Sequence, residues 1–200
     1  TINNHENATI GNYGTINNTA GGTITNSGTI DNTGTIKSVD GGITGTIGGN
    51  GIVKYGTFDS DGTFKASFTN SIDQIIDGET YEVTSDLTYT GTLTINSGGT
   101  LIIPSGKTLI ISGTINNTGI IDNKGTIKND TGGTINNRND DLVLDKGIIY
   151  NEGTITNYST INNRNNGIID NKTDGTINNY SGGIINNGTT DSDSTINNDG

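Results

Sequence analysis

The stretch that decides the fold is SGTINNTGIIDNKGTIKNDTGGTINN, residues 112–137. It holds little beyond Gly, Thr, Ile, Asn and a few charges, but its isoleucines recur. Ile115, Ile121 and Ile127 lie six residues apart, and Ile135 follows after eight. Glycine and a β-branched pair in every unit oppose a helix, and no i, i+3, i+4 stripe appears. In an extended T-I-N segment side chains alternate, so Ile faces one side while Thr and the third residue face the other. Each unit is therefore a short strand with one inward apolar residue.

Working outward, the unit G-T-I-x-N-x recurs as GTINNT (14–19), GTIDNT (28–33), GTIKND (125–130), GTITNY (153–158) and GTINNY (175–180). Composition alone suggests disorder, with 28% hydrophobic residues, 32 glycines in 200 residues and a net charge of −11. The periodicity overrides that reading and marks a repeat protein. Strands this short suit a solenoid, in which each lies against its copy in the next coil and the isoleucines stack in columns. The expected inward set is Ile16, Ile30, Ile115, Ile121, Ile127, Ile135, Ile155 and Ile177. Corners fall at N-x-G, where glycine and asparagine accept left-handed backbone and stacked asparagines can form hydrogen-bonded ladders. At roughly 20 residues per coil and about 4.8 Å between parallel strands, the expectation is roughly eight to ten coils.

The segments GTLTI (91–95) and GTLIIPSGKTLII (99–111), with the N-x-G-x-I-x-N units that follow them, carry a resemblance. They resemble the right-handed parallel β-helix repeats of large microbial surface proteins, the filamentous-haemagglutinin-like adhesins and related fibre proteins. Similar units cover residues 1–52 and 113–200. The resemblance implies an all-β chain, a right-handed parallel β-helix (β-solenoid), and an extracellular role at a cell or virion surface. Parallel β-helices also serve as enzymes, so the fold does not fix the function.

Three segments are expected: solenoid repeats over 1–52, a non-repeat aromatic-rich insertion over 53–79, and repeats again over 80–200. The insertion holds all three phenylalanines, Phe58, Phe64 and Phe68. TFDSDGTF reads as a hairpin with Asp61-Gly62 at its tip, and NSIDQIIDG as a short helix begun by Asn70 or Ser71 and ended by Gly78. Phe58, Phe64, Phe68, Ile72 and Ile76 are candidates for a plug on the solenoid or a contact with another subunit.

Sites of chemistry are sparse. The chain has no cysteine and one histidine, His5, and no catalytic constellation stands out, so no enzymatic activity and no cofactor are expected. Asp59 with Asp61, Asp191 with Asp193, and Asp140 with Asp141 are hard-oxygen pairs able to hold calcium. Arg138 and Arg164, the only arginines, share an INNRN context and suit a small anion or acidic sugar. Sequons occur at Asn7, Asn17, Asn116, Asn129, Asn157, Asn171, Asn179 and Asn187, which on exposed corners would accept glycans.

Scattered basic residues in an acidic chain argue against nucleic acid, and no apolar run is long enough to span a membrane. Repeat-grade units stand at both ends, TINNHENATIGN and STINNDG, and joining Gly200 to Thr1 would keep the six-residue spacing between Ile196 and Ile2. The expected function is thus structural and adhesive. Coils continue end to end, within a longer chain or between stacked copies of this one, and the partners are the chain itself, glycans or a host or cell surface. The alternatives are a carbohydrate-active β-helix enzyme, which needs clustered acids, and a carbohydrate- or ice-binding solenoid. The last is suggested by TIT (23–25 and 154–156) and TLT (92–94).

Overall fold

The structure is a computed structural model that describes residues 1–19, 22–32, 34–39, 42–48, 52–58, 60, 63–138, 147–188 and 195–198. The described chain is all β, and parallel strands stack coil on coil in about 8 turns of β-solenoid. Two compact units divide it, Thr1–Ser67 and Phe68–Gly200.

In the second unit each coil contributes one strand to each of three parallel walls. The first wall runs through Gln74–Ile75, Thr92–Ile95, Thr114–Asn117, Thr134–Arg138, Thr160–Arg164 and Ile184–Asn187. The second runs through Thr80–Glu82, Thr100–Ile103, Ile120–Asn123, Ile148–Asn151, Ile168–Asn171 and Thr195–Asn198. The third runs through Leu87–Tyr89, Thr108–Ile111, Thr126–Asn129, Thr154–Asn157 and Thr176–Asn179. Register is strict: Ile115 lies on Ile135 and Ile135 on Ile161, while Ile121 lies on Ile149 and Ile127 on Ile155. Ile30, Ile115, Ile121, Ile127, Ile135 and Ile155 of the expected inward set are buried. Ile16 and Ile177 are half-buried.

Each four-residue strand has a second inward position. In T-I-N-N the burial alternates, so the second asparagine enters the core beside the isoleucine. A buried amide without partners costs roughly 1–3 kcal/mol, and the stack supplies them. In the first wall the Nδ2 of Asn117 donates to Asn137 Oδ1 at 2.8 Å, and that of Asn137 to Asn163 Oδ1 at 2.7 Å. Asn123 donates to Asn151 in the second wall, and Asn129 to Asn157 in the third, each at 2.7 Å. Every one of these amides also donates to a main-chain oxygen, Asn137 to Ile168 O at 2.9 Å and Asn129 to Thr160 O at 3.0 Å among them. Because Nδ2 is tied to a carbonyl, its orientation is fixed, and all three ladders point their donors toward later coils.

The glycine of G-T-I is needed for space. A Cβ on Gly125 would sit on the carbonyl oxygens of Pro104 and Lys107, and one on Gly153 on that of Gly125. Coils approach too closely there for any side chain. Left-handed backbone is used elsewhere, at turn glycines such as Gly106 and Gly132 (φ 76° and 86°) and at Asn165 and Asn166 (φ 48° and 61°).

The first unit repeats the scheme. Ile2–Asn4 pairs with Ile24–Asn26 and that with Ile43–Thr44, while Thr9–Asn12 pairs with Thr29–Asn32. Thr15–Asn18 pairs with Thr35–Val39 and that with Ile52–Phe58. Ile24, Ile30 and Ile36 form its core with Ile2, Ile10, Ile16, Ile43, Ile47 and Val53 around them. Asn12 Nδ2 donates to Asn32 Oδ1 at 2.8 Å, as in the longer ladders.

The aromatic stretch contains the expected hairpin: Ile52–Phe58 and Phe64–Ser67 pair antiparallel with Phe58 opposite Phe64. The Asp61-Gly62 tip lies outside the described residues. The expected short helix at NSIDQIIDG is not formed. Its backbone makes turns around a strand, Gln74–Ile75, because the strand Thr92–Ile95 and the residue after it offer hydrogen-bond partners there. Thr94 N donates to Asp73 O and Asn96 N to Ile75 O, both at 2.8 Å. Ile75 thereby becomes a fully buried member of the first wall, below Ile95.

Candidate functional site

The outer face of the first wall carries the most regular array. Thr92, Thr114, Thr134 and Thr160 form one row in register, and Thr94, Asn116, Asn136, Asn162 and Asn186 form the next. The outer asparagines make their own ladder, in the opposite sense to the buried ones. Asn136 donates to Asn116, Asn162 to Asn136 and Asn186 to Asn162, each at 2.9 Å. A ladder amide within the row spends one N–H and one oxygen lone pair on its neighbours, which leaves the second N–H of Asn136 and Asn162, and the second lone pair of the Asn136 oxygen, for solvent or a ligand.

Arg138 and Arg164 end this face. The structure brings the two together, directly in register on adjacent coils and both exposed. Like charges directly opposite destabilise a sheet. Arg164 Nη2 donates to Asn162 Oδ1 at 3.2 Å, which ties the guanidinium to the amide row.

The other two outer faces hold charge pairs. On the second wall Asp122, Tyr150 and Asp170 stand in one row. Lys124 lies 3.8 Å from Asp122 and 4.0 Å from Glu152, and Lys172 pairs with Asp170 while its Nζ lies 5.7 Å from the Tyr150 ring. On the third, Lys128 Nζ is 3.0 Å from Asp130 and 5.5 Å from the Tyr158 ring, which stacks on Tyr180 at 4.8 Å. The Lys128 hydrogen bond and the Thr131 N–H hold the Asp130 carboxyl below its usual range. Burial, and then the Asp73 charge, push the Tyr89 phenol up, and its hydroxyl donates to Ile72 O at 2.9 Å.

The aromatic candidates fall in two places. In the first unit Phe58 and Phe64 pack at 4.9 Å with Lys37 Nζ 5.7 Å from the Phe64 ring. In the second unit Phe68 is buried against Tyr89 at 5.4 Å, Ile72 is half-buried, and Ile76 is exposed. Phe68 is thus core, and Ile76 is the exposed one of the five.

The calcium candidates Asp59, Asp61, Asp191 and Asp193, with Asp140 and Asp141, lie outside the described residues. Among the described residues no three His, Asp or Glu side chains gather to hold a metal. The sequons divide. Asn7, Asn17, Asn179 and Asn187 are exposed and Asn116 is half-buried. Asn129, Asn157 and Asn171 are corrected from exposed corners to buried ladder members, at 0%, 0% and 3% exposure. Their Nδ2 atoms are committed to hydrogen bonds and closed to a transferase in the folded state. No helix among the described residues is long and apolar enough to cross a membrane.

The chain matches no family model, no curated protein and no solved structure.

Proposed function

We propose that the chain is a structural segment of an extracellular fibre or adhesive surface protein and catalyses no reaction. The observation that carries this reading is the continuity of the buried amide ladders. Asn117, Asn137, Asn163 and Asn187 are joined by direct side-chain bonds through successive coils, alongside the strand-to-strand bonds of the walls. Both sets of bonds run along the stacking direction, so load applied there is shared by hydrogen bonds in parallel at every coil. Each coil also offers the next the same strand edges and the same amide donors. Any coil of this kind is a fitting continuation, in the same polypeptide or in another copy.

The contact surface of such a protein is best assigned to the outer face of the first wall. It offers free amide groups at Asn136 and Asn162 and a row of threonine hydroxyls, with Arg138 and Arg164 at its edge, a chemistry suited to hydroxyl-rich or acidic glycans. The resemblance of GTLIIPSGKTLII and its neighbours to surface-fibre repeats points the same way.

Single-molecule pulling along the stack tests the structural reading. It predicts that the second unit yields in one high-force event and that Asn137→Ala lowers that force. Coil-by-coil unravelling at low force, unchanged by the substitution, would overturn it. Electron microscopy of the native material should show fibres, and a polysaccharide-degradation screen should show no turnover.

A further inference from the structure

Two tyrosines of the second unit occupy a corner position that repeats from coil to coil. The strands Thr126–Asn129, Thr154–Asn157 and Thr176–Asn179 pair in register, and the residues that follow them, Asp130, Tyr158 and Tyr180, form a column. The backbone is held alike at each step: Tyr158 N donates to Asn129 O and Tyr180 N to Asn157 O, both at 2.9 Å. One coil of 22 residues separates the two tyrosines. Side chains that leave equivalent positions on stacked coils run the same way, and these two rings lie face to face, 4.8 Å between centroids and 13° from parallel. From the preceding coil Lys128 places its Nζ 5.5 Å from the Tyr158 ring, and Asp130 holds that ammonium at 3.0 Å. A cation over a ring face is favourable, so Tyr158 is kept between Lys128 on one coil and Tyr180 on the next.

From this geometry we infer that Tyr158 and Tyr180 are a site of oxidative coupling, joined into one dityrosine by a haem peroxidase that consumes hydrogen peroxide. Each phenol O–H gives one electron and one proton to the oxidant, which leaves two phenoxyl radicals. The unpaired spin of a phenoxyl reaches the ring carbons beside the oxygen, the ε carbons. One Cε–Cε bond forms between the rings, and the hydrogen on each of those carbons moves to the oxygen of its own ring, restoring two phenols. In all, two hydrogen atoms leave the pair and one hydrogen peroxide becomes two waters. Because the side chains run the same way, the ε carbons of both rings lie at the same end of the stack, as the new bond requires.

The other tyrosines lack this arrangement. Tyr81 and Tyr89 are buried. Tyr150 has Asp122 and Asp170 as its neighbours in register, and Tyr55 has Ser38 on the parallel strand. Tyr13, at 84% exposure, is open to coupling between molecules. Access at the Tyr158 corner is shown by Tyr158 itself, which has Lys128 and Tyr180 on the coils to either side and is still only half-buried. The corner is therefore open with coils on both sides, and access does not depend on what lies beyond Tyr180. The chain has no cysteine, and coupling here gives it a covalent tie between coils of the kind a disulfide supplies in other proteins. The reaction needs only the ring geometry and the oxidant, whatever surface the chain serves.

The test treats the dilute full chain with a haem peroxidase and limiting hydrogen peroxide, then unfolds it, digests it with trypsin and maps the products by mass. Cleavage after Arg164 and Lys172 separates Tyr158 from Tyr180 unless a bond joins them. Peptides 147–164 and 173–200 should emerge joined, lighter by two hydrogens and fluorescent as dityrosine. Rings already in place skip the diffusional step, so this product should exceed any other tyrosine pair within one chain by at least about tenfold. Tyr180→Phe keeps the ring, removes the phenol and should abolish the product. Tyr13→Phe should leave it unchanged and reduce coupling between chains. The mapping on the wild type needs no variant and decides the matter alone if either fails to fold. Joined peptides in no excess over other pairs, the same product from Tyr180→Phe, or coupling confined to bonds between chains would each overturn the proposal.

Discussion

Two neighbouring parts of the second unit solve the same geometry with different interiors. In Thr92–Ile95, Thr100–Ile103 and Thr108–Ile111 both inward positions are apolar, and Leu93, Ile95, Leu101, Ile103, Leu109 and Ile111 are all fully buried. From Thr114–Asn117 onward the second inward position is asparagine, buried just as completely at Asn117, Asn123, Asn129 and Asn137. The walls, register and turn positions carry on across the change. A narrow solenoid can therefore be held either by filling both inward positions with hydrocarbon or by giving one of them to amides that tie coil to coil.

The junction between the two has a cost. Ile103 and Ile111 lie directly under Asn123 and Asn129 and offer nothing to donate. The Oδ1 atoms of those two asparagines are buried without a hydrogen-bond partner. Asn117, the first of its column, escapes this because its Oδ1 accepts from Gly119 N at 3.2 Å.

This comparison can be broken most severely at an isoleucine. Ile121→Asp would place a carboxylate among apolar neighbours in a column closed to water, and should destabilise the second unit by more than about 4 kcal/mol. Urea denaturation measures it, and a variant that melts like the parent would mean the column is misassigned.

A smaller but more telling loss is expected inside the ladder. Asn137→Leu strips the acceptor from Asn117 and the donor from Asn163, two buried groups at about 1–3 kcal/mol each, so about 2–6 kcal/mol should be lost in the same assay. Asn123→Leu, at the junction, should cost much less, within about 1–2 kcal/mol. It removes one orphaned oxygen and passes the orphan to Asn151, so the boundary moves up one coil. Equal costs at the two positions would show that the ladder is not cooperative between coils.

The smallest effect belongs to the surface. The Asp130 carboxyl is held low by Lys128 and the Thr131 N–H. A depressed folded pKa gives stability that is present above the unfolded value of about 3.9 and lost as pH falls through the folded one. Lys128→Ala should raise the Asp130 pKa toward the ordinary range, read by carboxyl NMR between pH 2 and about 5, with little change in melting because the pair is exposed.

The coil was legible because Ile115, Ile121, Ile127 and Ile135 are spaced by the coil itself, and β-branched residues at fixed intervals have few other uses. The second asparagine of T-I-N-N was not read as core, since a lone amide belongs on the surface and only its copies in neighbouring coils satisfy it. That is why the sequons at Asn129, Asn157 and Asn171 looked exposed. NSIDQIIDG was misread for a related reason: its local signals fit a helix cap, while the decisive partner, the strand Thr92–Ile95, lies some twenty residues on in sequence. The Arg138 and Arg164 contexts matched in sequence, but their register across one coil needed the strand pairing.

The central claim, that buried amide ladders hold the later coils, is tested most directly by exchange of the side-chain NH₂ protons of ¹⁵N-labelled protein after transfer to D₂O. The account predicts that the Nδ2 protons of Asn117, Asn123, Asn129, Asn137, Asn151 and Asn157 exchange as slowly as the strand amides beside them, while those of exposed Asn7 and Asn17 are lost at once. Rapid exchange at all eight would contradict it.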